Sequence, residues 1–196
     1  MSDETLNKIP PVERAVRRKL GLAMTEFVQQ IAVLTLAEPD GAEESVANRA
    51  MRLSLTETYR GAVEEAAAQG VEVSLAWHTL GTWNENGRER IGYFARALDC
   101  VESRRDAHLR PPGPEEDWSS VHMRAECLFE LGRVHANEGD AEVARGFLLR
   151  ALPLAQEAER LRAAAAITHE DRLEGRIAEL LVQLPDADDP PGTMPG

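Results

Sequence analysis

A chain of 196 residues with 43% hydrophobic and 29% charged residues has the composition of a folded globular protein, not of a disordered segment. Its net charge of −12 argues against nucleic acid, whose phosphates need clustered Lys and Arg, and against an anionic membrane surface. Aromatic residues make up only 5%, so apolar burial falls to Leu, Ala and Val, which suits packed helices whose small residues let neighbours approach closely.

Of the 22 basic residues only Lys8 and Lys19 are lysines, a usage expected of a GC-rich, bacterial genome. Two cysteines, Cys100 and Cys127, make no disulfide framework in a chain of this length. The polar start lacks the apolar core of a secretory signal. The longest apolar run, from Phe27 to Ala37, is interrupted by Gln29, Gln30 and Thr35 and falls short of the roughly 20 residues a membrane span needs. A cytoplasmic protein away from membranes is therefore expected.

Residues 1–10 read as a flexible tail leading to an N-terminal helical region over 11–109. Pro11 suits a first helical turn and Glu13 the positive end of its dipole. Apolar residues recur at helical spacing from Val12 through Val16, Leu20, Met24, Phe27 and Ile31 to Leu34, until Glu38-Pro39-Asp40-Gly41 ends the helix. A second helix is expected over 42–69, with Val46, Ala50, Leu53, Thr56 and Tyr59 facing inward and Gly70 as its C-terminal cap. The basic stretch Arg14, Arg17, Arg18 and Lys19 is expected to pair with this acidic helix.

A third helix is expected over 71–85 and a fourth over 88–108, separated by the turn Asn84-Glu85-Asn86-Gly87. The proline-rich stretch 110–118 reads as a loop and subdomain boundary that no helix survives. The C-terminal helices occupy 119–184: one over 119–137, a turn at Glu138-Gly139-Asp140, one over 141–160, and a last one to 184 that restarts at the capping-box-like Thr168-His169-Glu170-Asp171. Residues 185–196 read as a disordered tail. No stretch alternates as a strand does, so the fold class expected is all-α, antiparallel hairpins of about seven helices.

The sharpest pattern is Leu128, Leu131 and Gly132, then Gly139-Asp140, then Ala144, Leu148 and Ala151. Small Gly132 lets one helix touch the next, and Ala144 and Ala151 on one face receive the contact. The pattern resembles the tetratricopeptide repeat family, W-x-x-L-G-x-x-Y before A-x-x-x-F. Leu128 stands for Trp, His135 for Tyr and Leu148 for Phe, and the family's closing Pro is absent. A degenerate second copy opens on Trp77, Leu80 and Gly81 and closes on Phe94 and Ala97, shorter by three residues. The two glycines lie 51 residues apart, against about 34 in tandem repeats. The resemblance covers residues 71–156 and implies one good repeat beside a degenerate one; another antiparallel bundle is the alternative.

The resemblance further implies a groove lined by the first helix of each hairpin. In the good hairpin that face would present Glu126, Phe129, Arg133 and Asn137; in the weaker one, His78, Thr82, Glu85 and Asn86. Arg133 and Asn137, four apart, could grip a peptide carboxylate or backbone; a solvated helix face is the plainer reading. No catalytic motif is recognisable. His122 with Cys127, and Cys100 with Glu102, lack the spacing of a helical metal site, and no metal or cofactor is expected. The function expected is a non-enzymatic interaction module (adaptor, chaperone or regulatory subunit) that binds a protein or peptide. The alternative is a self-associating bundle in which the first two helices form a homodimer interface, and a third option is a ligand sensor or enzyme with a pocket between helices.

Overall fold

The computed structural model describes residues 10–36, 45–106, 114–168 and 172–185. The tails, the Glu38–Gly41 stop, the prolines at 111–112 and most of the Thr168–Asp171 box lie outside these. Among the described residues there are seven helices and no strand, so the fold is all-α. No helix among them is long and apolar enough to cross a membrane.

Local chemistry accounts for the ends of these helices. Helix α1 (Pro11–Leu36) starts on a proline, whose missing N–H is no loss in a first turn, with Glu13 held by Arg17 at 2.7 Å. Helix α2 (Val46–Ala68) is capped by Ser45, whose hydroxyl oxygen accepts the Asn48 N–H at 3.1 Å. It ends at Gly70, whose φ of 74° lets the Val71 N–H reach the Ala66 carbonyl at 3.1 Å. Helix α3 (Ser74–Trp83) follows. Asn86 caps α4 (Gly87–Asp106), its side-chain oxygen accepting the Glu89 N–H at 3.2 Å.

Helix α5 (Pro114–Asn137) begins earlier than its composition suggested. A proline breaks a helix interior but is tolerated at the first helical position, where its missing N–H is no loss, so the helix can start at Pro114. Helices α6 (Ala141–Ala164) and α7 (Leu173–Gln183) complete the chain. Between α5 and α6, Gly139 (φ 87°) repeats the Gly70 device, with the Asp140 N–H on the His135 carbonyl at 2.9 Å. After α6 the same closure puts Ala166 at φ 53°, with the Ile167 N–H on the Arg162 carbonyl at 3.1 Å. A left-handed alanine costs about 1 kcal/mol relative to glycine.

The chain forms two compact units, residues up to Asn84 and residues from Glu85. In the first, α1 and α2 pack through Phe27 stacked on Tyr59 (centroids 4.7 Å apart), and α3 adds Ala76, Trp77 and Leu80 to the core. The expected pairing of the basic stretch with α2 occurs at Lys19 and Glu65, 2.6 Å apart. Both side chains are exposed, so the pair contributes at most about 1 kcal/mol. The inward stripe of α2 keeps the expected Thr56 and Tyr59 but not Val46, Ala50 and Leu53, which are exposed. It consists of Thr56, Tyr59, Val63 and Ala66, whereas Val46 and Leu53 are 88% and 61% exposed. The steps of 3 and 4 from Thr56 set that buried face, and Val46 and Leu53 fall to one side of it.

In the second unit α5 and α6 form an antiparallel hairpin. Leu128, Leu131 and Val134 of α5 are buried, as are Ala144, Leu148, Ala151, Ala155 and Ala158 of α6. Helix α4 contributes Phe94, Ala97, Leu98 and Val101, and α7 contributes Leu173 and Ile177. The helices come into close contact at Gly132. A Cβ there would lie 2.8 Å from Leu148 Cγ and 3.2 Å from the Ala144 carbonyl oxygen. Leu148 is fully buried and has no solvent to swing into. Gly132→Ala is therefore expected to lower stability by about 1–2 kcal/mol, despite the ~1 kcal/mol that Ala gains in helix propensity. Urea unfolding followed by far-UV circular dichroism checks this, and an unchanged or raised midpoint would contradict it.

Candidate functional site

The residues of α5 at 126, 129, 130, 133 and 137 recur at helical spacing and share one face of the helix. At their centre is Glu130, only 7% exposed. A carboxylate so buried needs charged partners. Arg133, one turn on, donates to it from Nε at 3.0 Å and from Nη2 at 2.5 Å. Arg90 of α4 approaches to 3.6 Å and Arg176 of α7 to 3.5 Å. Three helices thus converge on one carboxylate.

Arg176 serves two neighbours more. It donates to Glu126 Oε1 at 3.3 Å, and its guanidinium lies 4.4 Å above the centroid of the Phe129 ring. The second oxygen of that acid, Glu126 Oε2, is buried without a hydrogen bond. Arg124 and Glu102, 3.7 Å apart, extend the charged seam between α5 and α4. Three guanidinium groups (Arg90, Arg133, Arg176) and two carboxylates (Glu126, Glu130) thus form one network. Burial, and then the charge of Arg133, lower the pKa of Arg90, while Glu130 acts in the opposite direction.

The face expected from the sequence is thus assembled but unevenly open. Phe129 is 3% exposed and lies under Arg176, and Glu126 is clasped by the same side chain. Arg133 is half-buried, tied to Glu130, and Asn137 is exposed at the end of the helix. His78 and Thr82 lie elsewhere, in the first unit, where they line a groove of about 580 Å³ between α1 and α3 with Met24, Val28, Leu75 and Trp83. Glu85 and Asn86 belong to the second unit; both are exposed, and Asn86 serves as the cap of α4. Glu130, Arg90 and Arg176 were not singled out in the sequence. The Glu130–Arg133 spacing of three was the one visible signal; Arg90 and Arg176 become partners only through tertiary packing.

The remaining candidates are packing residues. His135 stacks on Phe147 (centroids 5.5 Å apart) with Nδ1 3.4 Å from Asp140 Oδ2. His122 stacks on Trp118 at 5.4 Å. Among the described residues no three His, Cys, Asp or Glu are grouped to hold a metal. Cys127 is fully buried, and burial, reinforced by the carboxylates of Glu126 and Glu130, pushes its thiol up to about 12. It is protonated at neutral pH and so is no nucleophile there.

That shift has a consequence at alkaline pH. On unfolding the thiol ionises at its ordinary 9.0, whereas folded it keeps its proton to about 12. Its contribution to stability is complete below pH 9 and is lost as pH rises from 9 towards 12, at about 1.4 kcal/mol per pH unit. Urea midpoints of the second unit are expected to fall between pH 9 and 10.5, with a shallower fall in Cys127→Ala; identical slopes would contradict the assignment. The chain matches no protein-family model, no curated protein and no solved structure.

Proposed function

We propose that the protein is a non-enzymatic interaction module, an adaptor, chaperone or regulatory subunit, that holds a peptide or partner helix on the outer face of α5. The observation that carries this reading is the Glu130 cluster. It fixes Arg133, half-buried at the edge of the cluster, on the helix face that ends at the exposed Asn137. Preorganised charged donors of this kind suit a carboxylate or peptide backbone. The close approach of α5 and α6 at Gly132 is in keeping with the tetratricopeptide-like reading, in which the first helix of a hairpin lines the groove.

A second reading, self-association, is favoured by α1. Leu22, Val33 and Leu36 are 63%, 65% and 86% exposed on the helical face opposite buried Phe27 and Ile31. A helix that is apolar on both sides has a second surface to cover.

Arg133→Ala combined with Asn137→Ala is expected to reduce the affinity of a stoichiometric partner, recovered on the immobilised protein, by tenfold or more while leaving the circular dichroism spectrum unchanged. Full retention of the partner would overturn the α5 reading. A tight homodimer in light scattering, dispersed by Leu22→Ser and Val33→Ser and accompanied by no partner, would favour self-association instead.

A further inference from the structure

Helix α7 occupies part of the face just described, and several features make it a detachable occupant. It has 11 residues, of which Leu173 and Ile177 are buried. A helix this short is marginal by itself and depends on its contacts. Its polar contacts include Arg176 on Glu126 and Glu130 of α5; Gln156 Nε2 donating to Glu174 Oε1 at 2.9 Å; and Arg145 Nη2 donating to the Leu184 and Pro185 carbonyls at 3.4 and 2.8 Å. It follows a strained junction, with left-handed Ala166 closing α6.

Its seat is also incompletely satisfied. Glu126 Oε2 is buried without a donor, and Arg176 stands 3.5 Å from Glu130, longer than a strong charge-assisted bond. Meanwhile the seat has a definite chemistry. It offers Arg176 the carboxylate of Glu126 and a share of Glu130, which Arg133 and Arg90 also hold, an aromatic face beneath the guanidinium, and apolar contact for the residues at −3 and +1, which α7 supplies as Leu173-x-x-Arg176-Ile177.

We infer that α7 is a resident occupant of the partner site, displaced by an outside amphipathic helix of the same chemistry. Such a helix carries an arginine between apolar residues at −3 and +1, together with a second donor able to reach Glu126 Oε2. This inference rests on the reading of α5 as the binding face and deepens it by naming the partner class. Because α7 is tethered, it competes at an effective concentration of the order of millimolar, so an equivalent free helix is largely excluded until α7 is loosened. The partner gains entry either through its additional donor or when α7 is weakened.

The test uses the full-length protein and a fluorescent peptide corresponding to residues 172–185. The peptide is expected to bind the Arg176→Ala protein at least tenfold more tightly than the wild type. A peptide carrying the same Arg176→Ala change is expected to lose that binding. The Arg145→Ala, Gln156→Ala protein loosens α7 from α6 without touching α5; it is expected to show the same gain and serves if Arg176→Ala impairs folding. Equal binding to loosened and wild-type proteins, binding that ignores the arginine of the peptide, or no binding at all would overturn the inference. None of these would touch the role of Arg133 and Asn137. Conversely, tight peptide binding to the loosened protein, combined with a partner that ignores Arg133→Ala and Asn137→Ala, would uphold α7 as a displaceable helix and remove the α5 reading for that partner.

Discussion

The approach of α5 to α6 at Gly132 is the constraint from which the second unit follows. A side chain there would meet Leu148 and the backbone of Ala144, so the helices can lie this close only because Cβ is absent. Closeness lets a line of alanines on α6, Ala144, Ala151, Ala155 and Ala158, be buried to 5% exposure or less. Small side chains bury little apolar area each, and dense packing against Leu128 and Leu131 compensates. With one side of α5 committed to α6, its other side is left to α4, α7 and whatever the face receives.

That other side is organised by charge. Glu130 is buried in the angle where α4, α5 and α7 converge, held by Arg90, Arg133 and Arg176. Replacing such a cluster by apolar residues of similar volume is often neutral for stability, and Glu130 keeps two of its three arginines when any one of them is removed. The cluster therefore contributes more to where α4 and α7 sit than to how firmly the unit folds. It also explains why the carboxylates beside Cys127 act against its ionisation. The thiol shares the interior with Glu126 and Glu130, which keeps it protonated and inert.

The first unit is built on a thinner core. Phe27 and Ile31 are the buried residues of α1, and the stack of Phe27 on Tyr59 is its principal lock to α2. The result is a helical hairpin with apolar side chains on both its inner and its outer surface, and a groove against α3 lined by Met24, Val28, Leu75 and Trp83.

The sequence determined the helices and their ends, because those depend on neighbours within a turn or two. The proline of α1, the glycines at 70 and 139 and the Gly132–Leu148 hairpin were legible as local patterns, whereas the start of α2 moved from 42 to Val46, behind the Ser45 cap. It erred where one residue type has two meanings: Pro114 reads as a breaker yet starts α5, and Val46 and Leu53 read as core yet lie exposed. Only the tertiary structure decided what the α5 face is. Arg176 meets Glu126 across 50 residues of chain, and Arg90 reaches Glu130 from a different helix. Helical periodicity shows which residues share a face. The acids of that face acquire their arginines, and Phe129 its cover, only when separate helices pack, since an ion pair between distant segments leaves no periodic trace in either one.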